Sequence, residues 1–149
     1  MEKILITGAT GFIGSRLLLG LKEHASRLKV KGAKEMWEVP KIKILSRKSH
    51  HYYETVVCDL LSEEVPDGAL DGVDTVYHLA GFAHDLRDAS DFEYLYRALN
   101  VHATVRLTEM AVFSEVKRFV FVSSVKAGGS DIEVVPEGGG MVKPKGKRS

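Results

Sequence analysis

The sequence predicts an α/β domain in which helices cover both faces of a parallel β-sheet. Short runs rich in β-branched and other apolar residues alternate along the chain with longer segments of helical period. These runs are mostly continuous in apolar residues, which is typical of parallel strands buried on both faces. With 149 residues, the chain has the usual size of one domain.

Each predicted strand rests on one such run, and five runs predict a sheet of about five strands. They are KILIT (3–7), KIKILS (41–46), TVVC (55–58), DTVYHLA (74–80) and RFVFVSS (118–124). Helices are expected in the crossovers, because neighbouring parallel strands cannot be joined by tight turns.

Two helices are predicted from the spacing of apolar residues. The first runs from Phe12 to about His24, and the second starts near Ser90, where Ser90 and Glu93 have the spacing of a capping box. The apolar face of the first helix would comprise Ile13, Leu17, Leu18 and Leu21. Residues 27–40 lengthen the first crossover and fit either a surface loop or an extra helical turn.

The end of the chain has a different composition. Residues 128–149 hold six of the fourteen glycines and end in a basic cluster. Such a segment has too little apolar surface to bury, so we expect it to be disordered. The predicted organisation is a domain over 1–127 and a glycine-rich basic tail over 128–149.

Composition narrows the class of function. The 21 basic and 20 acidic residues give a net charge of +1, which favours neither nucleic acid nor a membrane as partner and leaves small molecules. The single cysteine, Cys58, and an N-terminus without a signal-like apolar run predict a cytoplasmic protein. The six histidines lack zinc-ligand spacing, so no metal site is expected.

The sharpest chemical signal is TGATGFIG, residues 7–14. A predicted strand ends at Thr7, Gly8, Gly11 and Gly14 follow at intervals of three, and a helix begins at once. This is the context of a Rossmann-type dinucleotide-binding turn. Gly8 would permit the turn, Gly11 the approach of a pyrophosphate, and Gly14 the close packing of helix on strand. The N–H groups near Phe12 and Ile13 would hold the anion; the alternative is a purely structural turn.

Preceded by Thr, this Gly-x-x-Gly-x-x-Gly spacing resembles the extended short-chain dehydrogenase/reductase family of NAD-dependent epimerases and dehydratases, and within it the nucleotide-sugar 4-epimerases. Four further stretches resemble the family in the same order, and the resemblance extends from residue 3 to about 129. They are CDL (58–60), YHLAG (77–81), LNVHATVRLTEMA (99–111) and VKRFVFVSSVKAGG (116–129).

The resemblance implies a role for each matching position. Asp59 and Leu60 would lie at the adenine end of the cofactor, Leu79, Ala80 and Gly81 along its middle, and Asn100 would order the site. Ser124 matches the catalytic serine that hydrogen-bonds the sugar, and Ser123 would finish the fifth strand.

The residues after the second strand bear on which cofactor is bound. An acid there would bind the ribose diol of NAD, whereas arginine would attract the 2′-phosphate of NADP. The chain has Arg47 and Lys48 and no acid before Glu54. The prediction is NAD(P) with a slight preference for NADP; the alternative is that both are ordinary surface charges.

The catalytic pair that the resemblance implies is missing from this sequence. In the family, a tyrosine takes the proton of the sugar hydroxyl and a lysine four residues later lowers the tyrosine's pKa. None of the five tyrosines here is followed by lysine at that spacing. We therefore expect the N-terminal, cofactor-binding part of such an enzyme, inactive alone. The alternative is a non-catalytic NADP(H)-binding or sensor module that pairs with a partner chain through an exposed sheet edge.

Overall fold

A computed structural model describes residues 1–30, 40–81 and 93–123, with side chains described through residue 24 of the first segment. The five strands are β1 (Lys3–Thr7), β2 (Lys41–Ser46), β3 (Glu54–Val57), β4 (Thr75–His78) and β5 (Arg118–Phe121). They form one sheet in the order β3-β2-β1-β4-β5, with every neighbouring pair parallel. This confirms the predicted Rossmann-type sheet.

Three helical segments are described. Helix α1 (Phe12–Val30) fills the first crossover, and α2 (Glu93–Arg97) and α3 (Ala103–Phe113) precede β5. Between α2 and α3 the chain forms a π-helical turn, Ala98–His102. Helix α1 extends past the predicted end near His24, so the start of the insert at 27–40 is helical.

The central strands β1, β2 and β4 are largely buried on both faces, as a doubly wound fold requires, whereas the edge strands β3 and β5 are partly exposed. On one face a cluster of Ile4, Ile6 and Ile44 packs against Leu17, Leu18 and Leu21 of α1. On the other face Leu5, Leu45 and Val76 pack against α3 and the turn-rich segment 58–73. Residues of α3 and of that segment in this second cluster include Leu60, Leu70, Ala103, Leu107 and Ala111.

Two predicted strands end earlier than expected. β4 stops at His78: the Leu79 N–H is shared between the backbone oxygen and the hydroxyl of Thr7, and the Ala80 N–H donates to that hydroxyl. β5 stops at Phe121, whose partner in the ladder is His78. Ser123 therefore lies beyond the strand that it was expected to finish. Ile13 was expected on the buried face of α1 but is half exposed in its first turn.

Several predictions fall outside the described residues. They are the capping box at Ser90, the catalytic candidate Ser124, the rest of the insert at 31–39 and the glycine-rich tail 128–149.

Candidate functional site

The candidate residues gather at one edge of the sheet. Because the strands are parallel, their carboxyl ends share this edge, and the strand order reverses between β1 and β4. Ligands of open α/β sheets bind in the crevice at such a reversal. Gly8 follows β1, Arg47 follows β2, Asp59 lies beyond β3, and Leu79 follows β4. We call residues 79–81 the strap.

Gly8 lies where the turn after β1 touches the strap. Its φ of +67° is in the left-handed region, which favours glycine. A Cβ at Gly8 would lie 2.6 Å from the Ala80 nitrogen and 2.6 Å from the Leu79 carbonyl carbon. Only glycine lets the two backbone segments approach this closely.

Gly14 makes the second close approach, between α1 and the same turn. A Cβ there would lie 2.2 Å from the Gly8 carbonyl oxygen and 2.7 Å from Ala9 Cα. Gly11 lies between them, is exposed, and donates its N–H to the Gly8 oxygen at 3.0 Å. A Cβ on Gly11 would lie 3.2 Å from that oxygen and otherwise face open space. The three predicted glycines thus have distinct steric roles.

The first turn of α1 opens onto this glycine turn. Phe12, Ile13 and Gly14 have N–H groups that no preceding helical carbonyl can accept. No acidic residue occupies the first turn. The Arg16 guanidinium lies 3.6 Å from the centre of the Phe12 ring and donates to the Phe12 oxygen at 3.0 Å. Helix end and guanidinium together make this end of α1 attractive to an anion. Arg16 was not predicted, although its spacing from Phe12 places both on one helical face.

The strap is held by the side chain of Thr7. The Thr7 hydroxyl oxygen accepts the N–H of Leu79 at 3.2 Å and that of Ala80 at 3.1 Å. It also lies 2.7 Å from His78 Nδ1. On the far side of the ring, Nε2 lies 2.9 Å from the Thr104 hydroxyl. Thr7 and Thr104 are a second set of residues that the sequence analysis missed, because only the fold brings them together.

His78 is fully buried within this polar chain. Phe121 stacks on its ring at 5.7 Å between centroids, and Phe119 lies at 6.1 Å. Burial lowers the pKa of His78 from 6.5 to about 4. The imidazole is therefore neutral at physiological pH.

Asn100 reaches the site from the π-helical turn. A Cβ built on Gly81 would lie 3.2 Å from Asn100 Oδ1, so the side chain packs against the end of the strap. The turn is marked by the bond from the Ala103 N–H to the Ala98 oxygen. Single π turns inside α-helices are frequent at functional sites.

The predicted adenine end is a tight turn after β3. Asp59 Oδ1 accepts the N–H of Leu61 at 3.0 Å, and Glu63 reaches back to the N–H of Asp59 at 2.5 Å. Arg106 of α3 donates to the Leu60 oxygen at 3.3 Å. The turn is thus fixed from both sides. Glu63 was not predicted, although its spacing from Asp59 suits such a reciprocal cap.

Arg47 lies at the tip of the turn after β2. The Ser46 hydroxyl donates to the Lys48 oxygen at 2.6 Å, which curls the backbone around Arg47. The Arg47 side chain is exposed and has no hydrogen bond or ion pair with another described residue. It is free to meet a ligand anion.

Other predicted features have the following outcomes. Cys58 is 2% exposed, and burial, then the charges of Glu63 and Asp59, raise the pKa of its thiol. A buried thiol with a raised pKa is a poor nucleophile. Over residues 1–30, 40–81 and 93–123, no helix is long and apolar enough to cross a membrane. The same residues contain no group of three or more His, Cys, Asp or Glu side chains arranged to hold a metal ion.

A parallel sheet with its order reversal at β1 and β4, a glycine turn and an anion-attracting helix end define a Rossmann-type nucleotide-binding domain. The model of the NAD dependent epimerase/dehydratase family matches residues 4–144. The chain belongs to that family, as the motifs predicted.

Similar proteins include enzymes of several activities. The chain is 32% identical over 136 residues to the ketoreductase sphI of Aspergillus fumigatus, covering 91% of this chain and 39% of that protein. It is 32% identical over 129 residues to a UDP-glucose 4-epimerase of Vibrio cholerae, covering 86% of this chain and 36% of that protein. Among solved structures, MoeE5 in complex with UDP-glucose and NAD has a TM-score of 0.61 at 30% identity, covering 86% of this chain and 38% of that one. The chain thus spans less than two fifths of the length of these three relatives.

Proposed function

We propose that this chain is the NAD(P)-binding part of an enzyme that epimerises or dehydrates a nucleotide sugar. The observation that carries the proposal is the glycine turn: a side chain at Gly8 or Gly14 would overlap backbone, and Gly11 leaves the space before the first turn of α1 open. A turn with only a packing role would need the first and third glycines. It would not need the second, which is exposed.

Each site residue has a part in this proposal. The N–H groups of Phe12 and Ile13 bind the pyrophosphate, and Gly11 lets it approach. Asp59 and Leu60 receive the adenine, while Leu79, Ala80 and Gly81 run along the middle of the cofactor. Asn100 fixes the end of the strap, against Gly81.

The nucleotide sugar is proposed from the relatives, since the Vibrio cholerae protein is a UDP-glucose 4-epimerase and MoeE5 was solved with UDP-glucose and NAD. When bound, the nicotinamide would take a hydride from C4 of the sugar and return it. In this chain Ser124 would hydrogen-bond the reacting sugar oxygen. The sequence contains no Tyr-x-x-x-Lys pair to move the proton. We expect the 149-residue chain to bind cofactor and to leave UDP-glucose unconverted.

Calorimetric titration of the 149-residue chain with NADH and NADPH tests cofactor binding. Gly11→Ala places a methyl in the approach of the pyrophosphate and should weaken binding on the order of tenfold with little change in stability. Gly20→Ala is the matched control, because a Cβ at Gly20 meets nothing within 4 Å. The proposal would be refuted if the wild-type chain bound neither cofactor. It would also be refuted if Gly11→Ala and Gly20→Ala bound the cofactor with equal affinity.

We further propose a modest preference for NADP, carried by the exposed Arg47 at the end of β2. Arg47→Asp should weaken NADPH binding by about 10- to 100-fold, the value of a charge-assisted contact with phosphate, and leave NADH binding almost unchanged. Lys41→Asp makes the same change of charge at the amino end of β2, about 20 Å away. Equal losses from both substitutions would show that only overall charge matters.

A second candidate function is a non-catalytic module that pairs with a partner chain. It is favoured by β5, which forms one edge of the described sheet and carries the half-exposed side chains of Val120 and Phe121. Such an edge can accept another strand. Light scattering across a range of concentrations separates the candidates: a stable dimer that NADPH shifts supports the module, and a monomer throughout opposes it.

The boundaries proposed for the molecule remain those of the sequence. We propose residues 1–127 as the binding domain and residues 128–149 as a glycine-rich basic tail outside it, in a cytoplasmic protein. Limited proteolysis should remove the tail and leave cofactor affinity unchanged; protection of the tail would oppose this division.

A further inference from the structure

A continuous series of hydrogen-bonded polar groups, which we call the relay, runs from β1 through β4 to α3. It begins at the strap amides, passes through the Thr7 hydroxyl and the His78 ring, and ends at the Thr104 hydroxyl. The Thr104 hydroxyl is itself held in place, because it donates to the backbone oxygen of Asn100 at 3.0 Å. Both ends of this relay therefore touch the candidate site, one at the strap and one at the Asn100 turn.

The direction of every proton in the relay follows from this anchor. Since the Thr104 hydroxyl donates its hydrogen to Asn100, it can only accept from His78, so the proton of the ring lies on Nε2. A neutral imidazole has one N–H, so Nδ1 accepts the Thr7 hydroxyl hydrogen. The lone pairs of the Thr7 oxygen are then left for the N–H groups of Leu79 and Ala80. The Leu79 N–H is shared, since it also lies 3.3 Å from the Thr7 backbone oxygen, whereas the Ala80 N–H donates to the hydroxyl.

We propose that His78 is a positioning residue for the cofactor site. Its neutral form, protonated on Nε2, orients the Thr7 hydroxyl. That hydroxyl in turn holds the strap against Gly8 and keeps Gly81 in contact with Asn100. This inference rests on the proposed function, since it is the cofactor that the strap would contact. No titratable side chain other than His78 belongs to the relay, whose other members are threonine hydroxyls and backbone groups.

A purely structural histidine would not require this arrangement. An apolar side chain could fill the same space between Phe119, Phe121 and α3 without burying two ring nitrogens. What it could not do is take the hydrogen of the Thr7 hydroxyl. That hydroxyl would then be free to rotate its hydrogen toward the strap, where the two amides are themselves donors.

The first test is the tautomer of His78, read from long-range ¹⁵N–¹H correlations of the labelled 149-residue chain at neutral pH. The relay requires a neutral ring protonated on Nε2. A ring protonated on Nδ1, or a charged ring, would overturn the proposal. This result does not depend on whether the chain binds a cofactor.

The second test separates the two halves of the relay by substitution. The carboxamide of His78→Asn reaches as far as Nδ1 and can accept from Thr7, whereas that of His78→Gln reaches as far as Nε2 and contacts Thr104. With NADPH as the titrant, His78→Gln should lose affinity on the order of tenfold and His78→Asn less than about threefold. Both should lose thermal stability to a similar extent. Equal affinities of the two variants at equal stability would show a structural role only.

Two substitutions of Thr7 test the other end of the relay independently. Thr7→Val removes the hydroxyl that accepts from both strap amides and leaves the Leu79 N–H only the Thr7 backbone oxygen. It should weaken NADPH binding by about tenfold or more, and Thr7→Ser should restore most of the affinity. Thr108→Val is the control, because among the described residues that hydroxyl bonds only the Thr104 backbone oxygen, one turn away on the exposed side of α3. If the wild-type chain binds neither cofactor, the proposed function fails and the tautomer measurement decides the relay by itself. If Thr7→Val binds as the wild type does, the positioning role is refuted.

Discussion

Replacing Gly8 with alanine should destabilise the domain more than the same change at Gly72, whose φ is also positive. Two costs add at this position. A φ of +67° costs alanine about 1–2 kcal/mol. The new Cβ would also lie 2.6 Å from two backbone atoms of the strap, and moving packed backbone aside costs about 1–3 kcal/mol. The free energy of unfolding should therefore fall by about 2–5 kcal/mol, and Tm by about 5–15 °C.

Gly72 provides the matched control for the first cost. Its φ of +66° is nearly the same, but a Cβ there meets nothing within 4 Å. Gly72→Ala should therefore cost only about 1–2 kcal/mol. The difference between the two variants isolates the contact between the glycine turn and the strap.

Urea unfolding followed by far-UV circular dichroism measures both variants, provided that a single transition with an unchanged m-value is seen. Equal losses in Gly8→Ala and Gly72→Ala would refute the close approach on which the site is built. A clearly larger loss in Gly8→Ala than in Gly72→Ala, accompanied by lost cofactor affinity, would support it.

Three further predictions concern titratable groups. Burial lowers the pKa of His78 from 6.5 to about 4, so the unfolded chain takes up the proton at a higher pH than the folded chain does. The free energy of unfolding should therefore fall by about 3 kcal/mol as the pH drops through that range. Denaturation of His78→Asn at several pH values should lack this pH dependence. Hydrogen bonds from the Lys117 ammonium and, second, from the Lys3 N–H hold the pKa of Asp74 below 3.8. The stability that the ionised Asp74 contributes is therefore present above that pH and lost as the pH falls further. Asp74→Asn should accordingly destabilise the protein more at about pH 7 than at about pH 3, and equal effects at both would contradict the contact. Cys58, buried and with a raised pKa, should react with a thiol reagent only as fast as the chain unfolds, and rapid labelling of the native protein would oppose its placement.

The sheet was the part of the molecule most readily predicted. Continuous apolar runs are a strong signal for strands buried on both faces, and the bounds of β1 and β2 agree with the predicted runs at 3–7 and 41–46. The ends of β4 and β5 were wrong, because the end of a strand depends on where its neighbours turn away. Residues 79 and 80 retain apolar side chains, but the Thr7 hydroxyl takes up their N–H groups where backbone pairing with β1 ends.

The site was predictable where a residue type is required by backbone geometry. Glycine spacing predicted a turn at Gly8 and close packing of the helix at Gly14, but not the approach of Gly8 to the strap. The relay through His78 could not be predicted in the same way. Thr7, His78 and Thr104 are ordinary residues in their own segments, and only the packing of α3 on β4 gives them a common direction of hydrogen bonding.

The bond between Thr7 and His78 spans 71 residues of sequence, and this separation has a consequence for how the protein is made. At about 5–20 residues per second, the ribosome adds His78 roughly 4–14 s after Thr7. Until then β1, the central strand, lacks one of its two neighbours, β4. The glycine turn is the earliest part of the cofactor site to be synthesised but acquires its shape only after β4 pairs. Such non-local pairing is slow to form, so the nascent chain carries an exposed apolar strand during that interval. Pulse-labelling of stalled chains should show β1 protected only in chains that extend past β4.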